Sequence, residues 1–164
     1  MARIGIPAVL VSLAVLLTTG VARAQAPARG GYGGVTPEGG EPPSPKAPPA
    51  GFQYVTWPGF RAGAGGSEVF LQLTGPVSYK EKRRGARIYV TMEKALVYLK
   101  NNLRPVITRN FRGTPVSRFR LRRLKKDRLR LEILLRYRSK YSIGTRTAGQ
   151  YHYLIVSFPP PRSR

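Results

Sequence analysis

Between residues 116 and 137 the chain alternates basic and apolar side chains with a period of two. The segment Arg-Phe-Arg-Leu-Arg at 118–122 is followed by a Lys-Lys-Asp break at 125–127, and Arg-Leu-Arg-Leu-Glu-Ile at 128–133 repeats the pattern. Because successive side chains of a strand point to opposite faces of a sheet, this pattern predicts the two strands of one hairpin. One face would be apolar and pack on a core, and the other would be almost entirely arginine.

The rest of residues 51–160 consists of short runs rich in β-branched and aromatic residues, separated by glycine and proline. Besides the hairpin, the predicted strands are 52–57 (ended by Pro58-Gly59), 68–73, 77–81 as the partner of 68–73, 87–92, and 151–158. Many short strands at this spacing predict an all-β domain, a small two-sheet β-sandwich.

One segment of the domain, residues 92–103, fits two interpretations. Met92, Leu96, Leu99 and Leu103 have helical spacing, whereas a turn at Glu93-Lys94 would leave residues 95–99 as a strand. We favour the strand because all neighbouring segments are predicted to be β-strands.

A weak internal repeat predicts that the sandwich has two pseudo-symmetric halves. Residues 69–73 and 131–135 are alternating strands, and each precedes a tyrosine (Tyr79, Tyr141) by six residues. Gly85 and Gly149 then introduce the last strand of each copy, at 87–91 and 151–156.

The N-terminal residues 1–24 have the layout of a secretory signal peptide. Arg3 is followed by an apolar run from residue 4 to residue 17 and by Ala22-Arg23-Ala24, which predicts cleavage after Ala24 and a periplasmic location. The run is shorter than the ~20 residues that a membrane-spanning helix needs. Residues 25–50 contain seven prolines and six glycines, which is typical of a disordered linker, and residues 161–164 form a tail.

The composition favours binding over catalysis. The chain has a formal net charge of +22, and since residues 1–24 contain two arginines and no acidic residue, the mature chain would carry +20. There is no cysteine, and His152 is the one histidine. The carboxylates of the domain lie on separate segments, so neither a catalytic triad nor an ordinary metal site is predicted. We therefore expect a protein that is not an enzyme and that has no cofactor.

The predicted ligand-binding residues are the arginines of the hairpin, with a tyrosine as a stacking group: Arg118, Arg120, Arg122, Arg128, Arg130 and Tyr141. Guanidinium groups present a planar fork of donors that suits carboxylate and phosphate. The alternative interpretation of this face is a solvated surface that only maintains solubility.

Several segments resemble the AMIN domain, a periplasmic module of cell-wall amidases and type IV pilus secretins. The resemblance covers roughly residues 56–159 and is carried by 67–79 (S-x-V-F-L-Q-L-T-G-P-V-S-Y), 87–91 (R-I-Y-V-T), 116–121, 127–135 and 153–158. It implies a β-sandwich of two similar sheets that binds peptidoglycan and places its host in the cell envelope. Family strands often end in an acidic residue, where this chain has Thr91, Leu134 and Ser157.

Three functions are compatible with these features. The first is docking on peptidoglycan, or on another anionic envelope polymer, through the arginine face. The second is a protein-interaction adaptor of an envelope, pilus or secretion complex, which binds an acidic envelope protein through that face or an exposed sheet edge. The third is extracytoplasmic nucleic-acid binding, which the predicted signal peptide disfavours.

Overall fold

The computed structural model describes residues 46–160. The predicted signal peptide, most of the predicted linker and the tail at 161–164 lie outside the described residues. The described chain is an all-β sandwich of two five-stranded sheets. Its strands are β1 (Gln53–Gly63), β2 (Gly66–Leu73), β3 (Tyr79–Arg84), β4 (Arg87–Glu93), β5 (Ala95–Val97), β6 (Val106–Ile107), β7 (Val116–Leu124), β8 (Arg128–Leu135), β9 (Ser142–Ala148) and β10 (Tyr151–Phe158).

The predicted hairpin is confirmed as β7 and β8. Its strands pair antiparallel, with Leu121 opposite Leu131 and Arg120 opposite Glu132. Their apolar side chains are buried, because they point toward the other sheet. Lys126 and Asp127 adopt positive φ angles of 60° and 51° in the connecting turn.

The two sheets have the same internal order, which gives the sandwich its pseudo-symmetry. The first sheet has the order β5-β1-β2-β10-β9, and the second has the order β6-β7-β8-β4-β3. In the first half of the chain, β1 and β2 lie in the first sheet and β3 and β4 in the second. In the second half, β7 and β8 lie in the second sheet and β9 and β10 in the first. Each sheet therefore contains one hairpin from each half.

The predicted repeat corresponds to this arrangement in detail. The first residues of the turns between β3 and β4 and between β9 and β10 are Gly85 and Gly149, with φ of 55° and 57°. A glycine accommodates such a positive φ at no steric cost. Register shifts occur at Val55/Trp57 in the β1–β2 pair and at Val116/Arg118 in the β7–β8 pair.

Two strand predictions were wrong. The first strand does not end at Pro58-Gly59, because β1 continues through them to Gly63 after its bulge. The segment at 77–81 is not the partner of β2. Instead, β3 starts at Tyr79 and pairs with β4, while β2 lies between β1 and β10.

The segment at 92–103 contains a strand, as we favoured, but a short one. Ala95–Val97 forms β5, which runs parallel to β1, and Lys100–Leu103 forms a single 3-10 turn. No α-helix occurs between residues 46 and 160, and no helix there is long and apolar enough to cross a membrane.

The core lies between the sheets and consists of the inward side chains of both. Leu71 and Ile133, at matching positions of the repeat, are buried. Phe60 and Phe119 pack with ring centroids 6.5 Å apart. The buried hydroxyls of Ser67 and Thr114 are hydrogen-bonded to each other at 2.8 Å. With its interior filled in this way, the sandwich can offer only its two outer faces and its edges to a partner.

Candidate functional site

The outer face of the second sheet is strongly basic, and we call it the basic face. Because side chains alternate along each strand, the residues that alternate with the buried core positions of β7, β8, β4 and β3 all point to this side. The face carries nine basic side chains and two acidic ones, Glu132 and Glu93. The basic ones are Lys80, Lys82, Arg84, Arg87, Arg118, Arg120, Arg122, Arg128 and Arg130.

The five arginines predicted from the sequence are brought together on the basic face. Arg122 lies opposite Arg130, and Arg120 lies opposite Glu132 in the next row across the hairpin. Arg118 lies opposite Leu134 in the row after that. Arg128 lies at the end of the face, where its Nε donates to the Lys125 carbonyl oxygen at 3.1 Å.

Four further cations of the basic face were missed by sequence reasoning. Lys80, Lys82 and Arg84 lie on β3, and Arg87 lies at the start of β4. They join the arginines of the hairpin because β4 pairs with β8. The alternation of basic residues at 80, 82 and 84 was available as a signal, but the neighbour of this strand could not be read from the sequence.

Glu132 lies in the middle of the basic face and binds two of its arginines. The Arg120 Nε donates to Glu132 Oε2 at 2.9 Å, and a second nitrogen of Arg120 lies 2.8 Å from the same oxygen. A nitrogen of Arg122 lies 3.9 Å from Oε1. The Glu132 side chain is only 11% exposed, whereas those of Arg120 and Arg122 are 49% and 61% exposed. The carboxylate therefore holds both guanidinium groups from below and leaves them accessible.

Arg130 is held by a different kind of contact. Its guanidinium carbon lies 5.4 Å from the centroid of the Tyr89 ring, and its Nε donates to the Thr91 hydroxyl at 3.3 Å. Cation–π contact of this geometry stabilises the position of the side chain without neutralising its charge. Arg130 therefore presents a positioned cation to solvent.

One row of the face has cations without a protein partner. Arg118, Arg87 and Arg84 lie in line across the sheet, with Leu134 between Arg118 and Arg87. None of the three makes a side-chain hydrogen bond or ion pair within residues 46–160. Arg118 and Arg87 border a shallow depression of about 60 Å³. The row spans about 14 Å, since neighbouring strands lie ~4.8 Å apart.

Tyr141, predicted as a stacking group, does not lie on the basic face. It precedes β9 and packs between the sheets against Phe158, with ring centroids 6.2 Å apart. The Arg83 guanidinium lies 5.7 Å from its ring centroid, on the inward side of β3. Burial raises the pKa of the Tyr141 hydroxyl, and the nearby Glu81 carboxylate adds to the rise while Arg83 opposes it. Tyr141 is thus partly a core residue and cannot stack on a ligand of the basic face.

His152, the one histidine of the chain, lies on β10 away from the basic face. Its Nδ1 is 3.2 Å from the Thr147 hydroxyl on β9. Within the described range, no group of three or more His, Asp or Glu side chains is arranged to hold a metal ion.

Replacing Glu132 by glutamine should strengthen binding to anionic matrices. The amide keeps the shape of the carboxylate but releases the charges of Arg120 and Arg122, so the variant should elute from a sulfonate resin at higher salt. Glu81→Gln is the matched control, because it removes one carboxylate from an exposed position on the inward side of β3. An equal shift of both variants would show that Glu132 has no special effect on the face.

No protein-family model and no curated protein matches this chain. The functional assignment therefore depends on the residues and geometry of the basic face.

Proposed function

We propose that this protein is a non-enzymatic binding module that attaches to peptidoglycan, or to a similar anionic polymer of the cell envelope, through the basic face. The observation that carries the proposal is the charge of this face, with nine cations against two carboxylates on one side of one sheet. Surfaces that only maintain solubility usually mix both signs of charge. A nearly single-signed face attracts a polyanion.

The shape of the basic face favours a polymer over a small molecule. Small ligands usually occupy concave pockets of about 300–1,000 Å³. The depression on the basic face measures about 60 Å³, so it cannot enclose such a ligand. The cations are instead spread in rows over four strands, with spacings of ~4.8 Å between strands and ~6.8 Å along them. Such a flat array of donors suits a ligand with repeated anionic groups.

Peptidoglycan is the preferred polymer for two reasons that come from the sequence. The layout of residues 1–24 predicts export, and outside the cytoplasm the stem-peptide carboxylates of peptidoglycan are abundant anions. The resemblance to the AMIN domain implies the same ligand and a periplasmic location. Arginine is well suited to this ligand, because its guanidinium group donates two parallel hydrogen bonds to a carboxylate.

The test is co-sedimentation of the mature protein with purified peptidoglycan sacculi. The triple variant Arg118→Ser, Arg120→Ser, Arg130→Ser should lose sedimentation, because it removes cations from three rows of the basic face. Its circular dichroism spectrum should remain that of the folded protein, since these side chains lie outside the core. Unchanged sedimentation would overturn the assignment of the site.

A charge-matched control separates the face from net charge alone. Arg109, Arg112 and Arg138 are exposed and lie on loops outside the basic face. The triple variant Arg109→Ser, Arg112→Ser, Arg138→Ser has the same net charge as the test variant and should still sediment with sacculi. Equal losses in both variants would contradict a specific face. Release of the protein from sacculi by a low concentration of a random DNA duplex would favour the nucleic-acid function instead.

A further inference from the structure

The edge strand β9 differs from the other three sheet edges of the sandwich. Edge strands expose backbone groups that can pair with another chain, and proteins usually block them by shortness, charge, proline or a bulge. The edges β5 and β6 have three and two residues, and β3 has the charged sequence Tyr-Lys-Glu-Lys-Arg-Arg. β9 has seven residues, Ser-Ile-Gly-Thr-Arg-Thr-Ala, with one charge and no proline.

β9 is also regular in its pairing. All seven of its residues pair with β10 without a register shift, from Ser142 opposite Ser157 to Ala148 opposite Tyr151. No other strand of the described chain pairs with β9, and six of its seven residues are exposed. The backbone N–H and C=O groups that point away from β10 therefore form a straight row open to an added strand.

A groove runs along the inward side of β9. Its lining includes Thr145 and Thr147 of β9, Val77 and Tyr79 from the segment that leads into β3, and Leu154 of β10. Its volume is about 350 Å³, which falls in the range of ligand-binding pockets. The inward side chains of a strand added next to β9 would enter this groove, because they follow the same alternation as Thr145 and Thr147.

The charges around β9 select an acidic partner. Arg146 points to the outer side of β9, where its guanidinium carbon lies 5.8 Å from the centroid of the Tyr153 ring. The exposed Arg138 and Lys140 precede the strand. A second copy of this chain would bring its own net charge of +22 to the same place, and the repulsion between two such chains disfavours self-pairing.

We propose that β9 binds an extended segment of another protein by strand addition, and that this segment alternates apolar and acidic residues. Its apolar side chains enter the groove between β9 and Val77–Tyr79, and its acidic side chains lie beside Arg146. Main-chain hydrogen bonds to β9 provide the affinity, and the groove and the arginine provide the selectivity. This surface is separate from the basic face, so the protein would have two independent binding sites.

A synthetic peptide of alternating glutamate and valine, with the seven-residue length of β9, tests the proposal. The protein should be the Arg118→Ser, Arg120→Ser, Arg130→Ser variant, so that the basic face contributes less to binding the acidic peptide. We expect saturable binding by fluorescence anisotropy and slower amide hydrogen exchange at residues 142–148. The same peptide N-methylated at every residue keeps its charges but has no backbone N–H to donate to β9, and it should not bind. Equal binding of both peptides would overturn strand addition.

A second variant tests the location of the site. Thr145→Lys, made in the same background, places a charge on the inward side of β9, a natural means of blocking an edge, and should weaken peptide binding by about tenfold or more. Asn110→Lys adds the same charge at an exposed loop position and should leave the affinity unchanged. Equal affinities of the two variants would overturn the assignment to β9. If Thr145→Lys does not fold, the hydrogen-exchange measurement on the arginine triple variant decides whether the peptide binds at β9. Because none of these results depends on sacculi, they are distinguishable from a failure of the proposed peptidoglycan binding.

Discussion

Replacing Phe119 by alanine should lower the free energy of unfolding by about 3–5 kcal/mol. Phe119 is 1% exposed, and its ring packs against Phe60, which in turn packs against Phe111. Truncation removes apolar surface from the core and leaves a cavity that the surrounding strands cannot fill without moving. The loss is large compared with the 5–15 kcal/mol that stabilises a typical domain. Urea denaturation followed by circular dichroism measures it.

The control for this prediction is a neighbouring position of the same strand. Arg122 lies on β7 with a side chain that is 61% exposed, so Arg122→Ala should change the free energy of unfolding by less than about 0.5 kcal/mol. Similar losses for the two variants would contradict the assignment of one side of β7 to the core and the other to solvent.

Replacing Gly66 by alanine should cost about 2–4 kcal/mol of stability. Gly66 begins β2 with a φ of 123°, a conformation that residues with a side chain rarely adopt. An added Cβ would also lie 2.1 Å from the carbonyl oxygen of Phe158 on β10. Because this contact is with backbone, no change of rotamer relieves it. The same denaturation experiment would detect the loss.

The adjacent glycine provides a matched control for Gly66→Ala. An added Cβ at Gly65 would have no atom within 4 Å, so Gly65→Ala should be close to neutral. Equal losses for the two substitutions would contradict the φ of Gly66 and the contact with Phe158 as the cause.

The local pattern was sufficient to predict most strands and the apolar side of the hairpin. Arg118, Phe119 and Arg120 alternate between solvent and core as expected, because the period of a strand is a local property of the backbone. β9 was missed, since its Ser-Ile-Gly-Thr-Arg-Thr-Ala sequence has no apolar alternation and its pairing with β10 alone makes it a strand. The extension of β1 through Pro58 was missed because proline and glycine usually end such a strand.

Only part of the candidate site could be predicted, because the sequence shows side-chain alternation but not which strands are neighbours. The five arginines of the hairpin follow from the alternation, but their neighbours do not. Lys82 and Arg87 join the basic face only because β4 pairs with β8, and Tyr141 is excluded from it because its ring packs against Phe158. The sheet order is a non-local property, and no short-range signal in the sequence indicates it.

The sequence by itself determined that the chain forms two-sided strands, that its halves repeat, and that it carries a large excess of positive charge. Side-chain alternation and composition are sufficient for these conclusions, because each depends on residues close together in the chain or on a simple count. The tertiary structure decided that nine cations share one face, that Glu132 holds two of them, and that β9 remains an open edge. Any two strands can form backbone hydrogen bonds with each other, so the choice of neighbours depends on how the apolar sides of both halves pack into one core.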